Sequence, residues 1–183
     1  MHFEPTSIEG VRIIHPKQYS DERGYFARTW DIAQFAAHNM ASTLNQCSTS
    51  FNHRAGTLRG MHFQKAPHEE AKVIRCTRGA IYDVAVDLRP ASPTFKKWVG
   101  AELNENNGAA IYIPKGCAHG FLTLQDYSEV LYLISSPYVP EAGSGVRYND
   151  PAFGIEWPRS VEVIIERDAN YPDFVDDQPE SGA

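Results

Sequence analysis

The sequence is poor in several things at once. Its 183 residues include only three cysteines, three methionines and three tryptophans. It has no apolar run near the roughly 20 residues that a membrane-spanning helix needs. It has no excess of base: 17 Lys and Arg stand against 23 Asp and Glu, a net charge of −6. Each shortage excludes something. An odd number of widely spaced cysteines, Cys47, Cys76 and Cys117, does not make a disulfide framework and reads as buried thiols in a reducing cytoplasm. No neighbouring residues look like an activating pair for any of them. The acidic balance argues against nucleic acid as a partner, because phosphate backbones demand a basic surface. It leaves room for a local basic pocket that takes a small anion. The N-terminus, MHFEPTSIEGVRII, carries Glu4 and Glu9 within what would have to be the apolar core of a signal peptide, so it does not read as one.

Helical periodicity is scarce as well. One segment, Asp31–Met40, predicts a helix: Asp31 can cap it, Gln34 sits at the reciprocal position, and Ile32, Phe35 and Ala36 make an apolar stripe. Everything else is short and β-like. Strands are expected at Val11–Ile14, Tyr25–Thr29, Gln46–Phe51, Thr57–Gln64, Ala71–Thr77, Ala80–Leu88, Trp98–Leu103, Ala109–Ile113, His119–Leu124, Glu129–Ser135 and Val161–Ile165. Gly24 suits a turn over Asp21–Gly24, and Arg78-Gly79 suggests a hairpin between two of the strands. Many short strands separated by Gly and Pro imply an all-β sandwich or barrel. With no repeat, linker or low-complexity block, residues 1–183 read as a single domain. Its acidic tail, from about residue 172, is expected to be ordered only in part.

The stretch Thr57-Leu-Arg-Gly-Met-His-Phe-Gln64 concentrates polar chemistry in a strand. His62 and Gln64 share a face by alternation, and Arg59 belongs on the other. Gly60 lies between them. A bulge at that glycine would turn Arg59 and His62 toward one cavity. In the strand over Ala80–Leu88, Ile81, Asp83, Ala85 and Asp87 share one face. A second polar stretch, Gly108-Ala-Ala-Ile-Tyr-Ile-Pro-Lys-Gly-Cys-Ala-His119-Gly-Phe121, ends a strand in a Pro-x-Gly turn and opens the next with a histidine. Its spacing resembles the second cupin motif. The first cupin motif has a His-x-His pair and then a glutamate, where this chain offers His62, Gln64 and Glu69. One imidazole of the usual metal set is therefore missing. A metal-dependent cupin oxygenase or isomerase using His62, Gln64, Glu69 and His119 remains one alternative. A non-catalytic sugar-nucleotide-binding cupin is another.

Longer runs carry a more specific resemblance. DERGYFAR, TLRGMHFQ, PHEEAKVIRCTRGAIYDVAVDLRPASPTF, YIPKGCAHGFLTL and GVRYNDPAFGIEWP, in that order, resemble the dTDP-4-dehydrorhamnose 3,5-epimerase family over about residues 1–170. That resemblance implies a cupin-like jelly roll, a homodimer, and epimerisation of a nucleotide-linked 4-keto-6-deoxyhexose without metal or organic cofactor. By resemblance His62 is the base, Asp168 the carboxylate that orients it, Tyr132 the acid on the opposite face, and Lys72 the cation near the ketone oxygen. Arg23, Gln46, Ser48, Arg59, His119, Tyr138 and Arg167 fall at substrate-binding positions, and Asp83 is expected either to support His119 or to serve as a counter-charge to Lys72. Without the resemblance, Tyr132 is an ordinary strand aromatic and Lys72 an edge-strand lysine. The chemistry is coherent, because abstracting a proton next to a ketone needs a base, an opposed acid and a cation or donor at the oxygen. The chain departs from many members at Arg28, where they have glutamate, and at Ser48, where they have asparagine. It also departs around Gly143–Gly145, where others carry a glutamate.

Overall fold

The computed structural model describes residues 1–176. Within them the chain opens with strands β1 (His2–Pro5) and β2 (Arg12–His15), a hairpin of β3 (Gln18–Asp21) and β4 (Gly24–Ala27), and helix α1 (Ile32–Ala37). Strands β5 (Gln46–Asn52), β6 (Leu58–Gln64), β7 (Lys72–Arg78), β8 (Ala80–Asp87) and β9 (Trp98–Asn104) follow. Then come β10 (Ala110–Ile113), β11 (Cys117–Thr123), β12 (Ser128–Ile134), the short β13 (Gly143–Gly145) and helix α2 (Glu166–Ala169).

Two antiparallel sheets carry the fold. One has six strands in the order β1-β2-β10-β7-β12-β5, the other five in the order β13-β6-β11-β8-β9. They face each other: Ile74, Cys76, Ile111, Ile113 and Val130 of the first sheet pack with Ile81, Ala85, Leu103 and Phe121 of the second in one core cluster. This is a jelly roll, and the expected all-β class holds.

The hairpin expected at Arg78-Gly79 does not form. β7 pairs with β10 and β12, whereas β8 pairs with β11 and β9. The chain crosses there from one sheet to the other. Both strands carry an apolar face, and the inward residues of each enter the same core cluster. Stacking face to face buries those sets against each other, whereas edge-to-edge pairing would leave both on one surface. Gly79 makes the crossing at φ +74°, and a Cβ there would meet Ser128 Oγ at 2.6 Å.

Helix α1 is shorter than its pattern, six residues, with Asp31 accepting from the Gln34 backbone N–H at 3.0 Å as expected of the cap. Its stripe is narrower too. Phe35 is fully buried among Phe3, Ile14 and Tyr112, whereas Ile32 is 60% exposed. Burying one phenylalanine contributes about 2–3 kcal/mol, enough to seat so short a helix without its neighbour. Val161–Ile165 forms no strand; Val163 makes only a single parallel bridge to Thr57. Cys76 and Cys117 are buried, and burial pushes their thiols up to about 11 and about 12. Cys47 is exposed, contrary to expectation, because it faces outward on the edge strand β5. Residues 172–176 lie against the body of the protein: Phe174 packs on Phe153, Asp173 pairs with Arg147 and Asp176 with Lys96. The rest of the tail, 177–183, lies outside the described residues. Among the described residues no helix is long and apolar enough to cross a membrane.

Candidate active site

A cavity of about 360 Å³ opens between the two sheets. Strand β6 brings Arg59 and His62 to it, β7 brings Lys72, β11 brings His119, and β12 brings Tyr132. The bulge expected at Gly60 is what puts the first two together. Arg59 pairs with Phe121 and His62 with His119, so three steps on β6 match two on β11. The extra residue resets the alternation. Glycine is required there: φ is +123°, and a Cβ would stand 2.5 Å from the Gly120 Cα and 2.7 Å from the His119 carbonyl oxygen.

His62 is held by Asp168, 106 residues away, with Nε2 at 2.9 Å from Oδ1. Asp168 is itself 1% exposed at the second residue past the start of α2's first turn. Burial pushes its carboxyl up. Donation from His62, from the Gly60 N–H to Oδ2 at 3.1 Å, and from Arg167 Nε at 3.1 Å outweighs burial and leaves it below the ordinary carboxylate range. A carboxylate at Nε2 keeps the proton on that nitrogen, so Nδ1 is the one free to accept. Arg167 Nη2 also lies 3.2 Å from His62 Nε2.

A second His–Asp pair sits deeper. His119 Nε2 is 2.8 Å from Asp83 Oδ2, and both residues are buried. Here burial wins, and the Asp83 carboxyl stays above its ordinary value despite His119 and Lys72. On the facing sheet, the Tyr132 ring meets His119 edge to face at 6.2 Å. Its hydroxyl lies 3.2 Å from Ser50 Oγ. Burial, opposed by that hydrogen bond, pushes the phenol up to about 12. Lys72 Nζ pairs with Glu70 Oε1 at 2.8 Å and donates to the His62 carbonyl oxygen at 3.3 Å.

Gln46, Tyr138 and Arg167 also line the cavity. Arg59 donates from Nε to the buried Asn52 Oδ1 at 2.7 Å and from Nη2 to the Phe51 carbonyl oxygen at 3.4 Å, and its side chain lines the cavity. Asp168 and Asp83 stand behind the two histidines rather than on the lining. Ser48 shares its strand face with Gln46, but it is exposed and does not line the cavity. Arg23 is elsewhere, on the β3–β4 turn, held by Asp21 through Nε at 3.1 Å. Gln64 is spent on the backbone: it donates to the His68 and Pro137 carbonyl oxygens and accepts from the Val139 N–H. Among the described residues no three His, Cys, Asp or Glu side chains converge in a way that could hold a metal ion.

Sequence reasoning missed two titratable lining residues among those described. Glu70 lies two positions before Lys72, the spacing that puts both on one face of an extended chain. Tyr171 lies three after Asp168, two residues past the end of α2; its ring meets His62 edge to face at 6.4 Å. Among the described residues the lining thus carries Arg59, Lys72 and Arg167 against one carboxylate, Glu70. Such a site suits an anionic ligand with a neutral, proton-bearing portion.

Comparison with known proteins agrees with this chemistry. A family model described as dTDP-4-dehydrorhamnose 3,5-epimerase matches residues 5–176. A dTDP-4-dehydrorhamnose 3,5-epimerase of Sinorhizobium fredii is 42% identical over 173 residues, covering 94% of this chain and 89% of the relative. The crystal structure of the enzyme of that name from Elizabethkingia anophelis superposes with a TM-score of 0.92 at 35% identity, over 95% of this chain and 96% of that one. A Legionella pneumophila dTDP-6-deoxy-D-glucose-3,5-epimerase, solved with dTDP-4-keto-L-rhamnose, superposes with a TM-score of 0.86 at 35% identity, over 92% of this chain and 89% of that one.

Proposed function

This chain belongs to the dTDP-4-dehydrorhamnose 3,5-epimerase family, a family of cupin-like isomerases, and we propose that it epimerises carbons 3 and 5 of a dTDP-4-keto-6-deoxyhexose on the way to rhamnose or a related deoxysugar. The observation that carries this reading is the opposition of two groups across one cavity. His62, oriented by Asp168, stands on the five-stranded sheet, and Tyr132 stands on the six-stranded sheet. Inversion needs that opposition, because the proton must leave one face of the sugar and return to the other.

His62 takes the proton at carbon 5, and then at carbon 3. Asp168 stabilises the imidazolium that results, as a buried carboxylate does behind a histidine base. The electrons move onto the ketone oxygen as an enolate, which Lys72 stabilises with help from His119 or Arg59. Tyr132 returns a proton from the opposite side; with its pKa raised to about 12 it is protonated at neutral pH, as a donor must be. No step calls for a metal or an organic cofactor. Asp83 holds His119. Arg59 and Arg167 supply fork-shaped donors for the diphosphate, Gln46 reaches the base, and Tyr138 stacks on it.

The protein acts as one domain, in the cytoplasm, as a homodimer. Three features support pairing with a second copy. The β3–β4 hairpin belongs to neither large sheet and exposes Tyr19, Tyr25 and Phe26. The edge strand β5 leaves backbone groups unpaired. Arg23 and Ser48, expected at the substrate, lie off this chain's own cavity.

Incubation with dTDP-4-keto-6-deoxyglucose in deuterated water, followed by NMR, tests the reaction. Deuterium is expected at carbons 3 and 5, and Tyr132→Phe is expected to slow net inversion by about 100-fold. Absence of deuterium at both carbons would overturn the reading.

A further inference from the structure

Among the described residues Glu70 is the one carboxylate on the cavity wall, and no part of the reaction above uses it. It is 8% exposed. One oxygen, Oε1, accepts from Lys72 Nζ at 2.8 Å. The other, Oε2, is buried with no hydrogen-bond partner among the described residues. An ionised carboxylate has about four acceptor sites, and burying one half-satisfied is costly unless a ligand or other group completes it. A phosphate oxygen cannot, because it brings only like charge. A neutral hydroxyl can.

Its neighbour defines which hydroxyl. Lys72 Nζ, a donor, and the Glu70 carboxylate, an acceptor, stand side by side facing one cavity. The complement of an adjacent donor and acceptor is an acceptor beside a donor on the ligand. A ketone next to a carbon bearing a hydroxyl presents that pair. From this juxtaposition we propose that Lys72 and Glu70 together recognise the α-hydroxyketone of the sugar, Lys72 at the carbon 4 oxygen and Glu70 accepting from the hydroxyl on carbon 3. The assignment rests on the reading of the substrate given above. It makes Glu70 a specificity-determining residue, and it separates the sugar end of the cavity from the diphosphate end, where a carboxylate would repel.

The test compares dTDP-4-keto-6-deoxyglucose with its analogue lacking the carbon 3 hydroxyl, reading deuterium entry at carbon 5, which both retain. The native protein is expected to favour the hydroxylated substrate by about 10- to 100-fold in kcat/KM, the range for a hydrogen bond to a charged acceptor. Glu70→Gln is expected to shrink that ratio, and Glu70→Met to bring it within about threefold of unity. A native ratio near one overturns the proposal. So does a ratio that persists in both variants while their overall rates fall, since Glu70 then does no more than hold Lys72. Should the native protein exchange neither sugar, the reaction is wrong. Calorimetric Kd values of the two nucleotides for native and Glu70→Met protein then decide the Glu70 assignment alone, by the same ratio.

Discussion

The two His–Asp pairs use the same atoms at almost the same separation, 2.9 Å in one and 2.8 Å in the other, yet the carboxyls move in opposite directions. Asp168 lies below its ordinary value of 3.8 and Asp83 above it. Burial pushes both up, more strongly at the deeper Asp83, and the two keep different company. Asp168 collects three donors on its two oxygens, one of them a backbone N–H that the Gly60 bulge delivers. Among the described residues Asp83 has one side-chain donor, and its Oδ1 is buried without a partner. A His–Asp contact is therefore not a functional unit by itself. Depth of burial and the number of further donors together decide whether the acid is held as a carboxylate that can stabilise a charged histidine.

Removing the better-served histidine should have the largest effect. His62→Ala is expected to slow proton exchange at carbons 3 and 5 by about 10³-fold or more, while dTDP still binds; single-turnover NMR against calorimetry separates the two. Exchange within tenfold of native would return the base assignment to another group.

Asp168→Asn should come next, with about 100-fold lost in exchange rate. It should also lose stability at pH 7, because three donors face a neutral acceptor. A cost of about 1–3 kcal/mol lowers Tm by roughly 3–10 °C. The sign with pH follows from the depressed carboxyl. Its stabilisation is present above 3.8 and is lost as pH falls through the lower folded-state value. The Tm gap between native and variant should therefore close in acid. A gap that stays constant down to pH 2 would contradict the stabilised carboxylate.

Asp83→Asn should change stability least and in the opposite sense. A raised carboxyl stabilises the fold fully below 3.8, and that contribution is lost as pH rises through the higher folded-state value. At pH 7 the asparagine variant should melt at or slightly above the native temperature, and its advantage should vanish on acidification. A fall of several degrees at pH 7 would mean that Asp83 is held as a stabilised carboxylate after all, and the contrast with Asp168 would disappear.

Much of this was legible in the chain. Strand after strand was visible from alternation, because a half-buried strand writes its period into its side chains. The Gly60 bulge was legible because only glycine serves at that φ and at that approach to Gly120. The β7–β8 connection was not. Two apolar strands joined by Arg78-Gly79 look the same whether they pair by edge or stack by face. The short strands β1, β3 and β13 and the four-residue helix α2 carry too few residues for a period to show. Ile32 fits the α1 stripe and is still exposed, since only the neighbours of α1 decide how much of the stripe is covered.

Sequence alone determined the all-β class, the residue types a proton transfer next to a ketone requires, and the runs that carry family membership. All of these are local in the chain or depend on its order. Tertiary structure alone decided which charged groups meet. It set Asp168 behind His62, paired Glu70 with Lys72, put Tyr132 on the sheet opposite His62, and left Arg23 and Ser48 off the cavity. Those outcomes depend on contacts between residues far apart in sequence, and on the burial that sets each group's charge, which no spacing along the chain encodes.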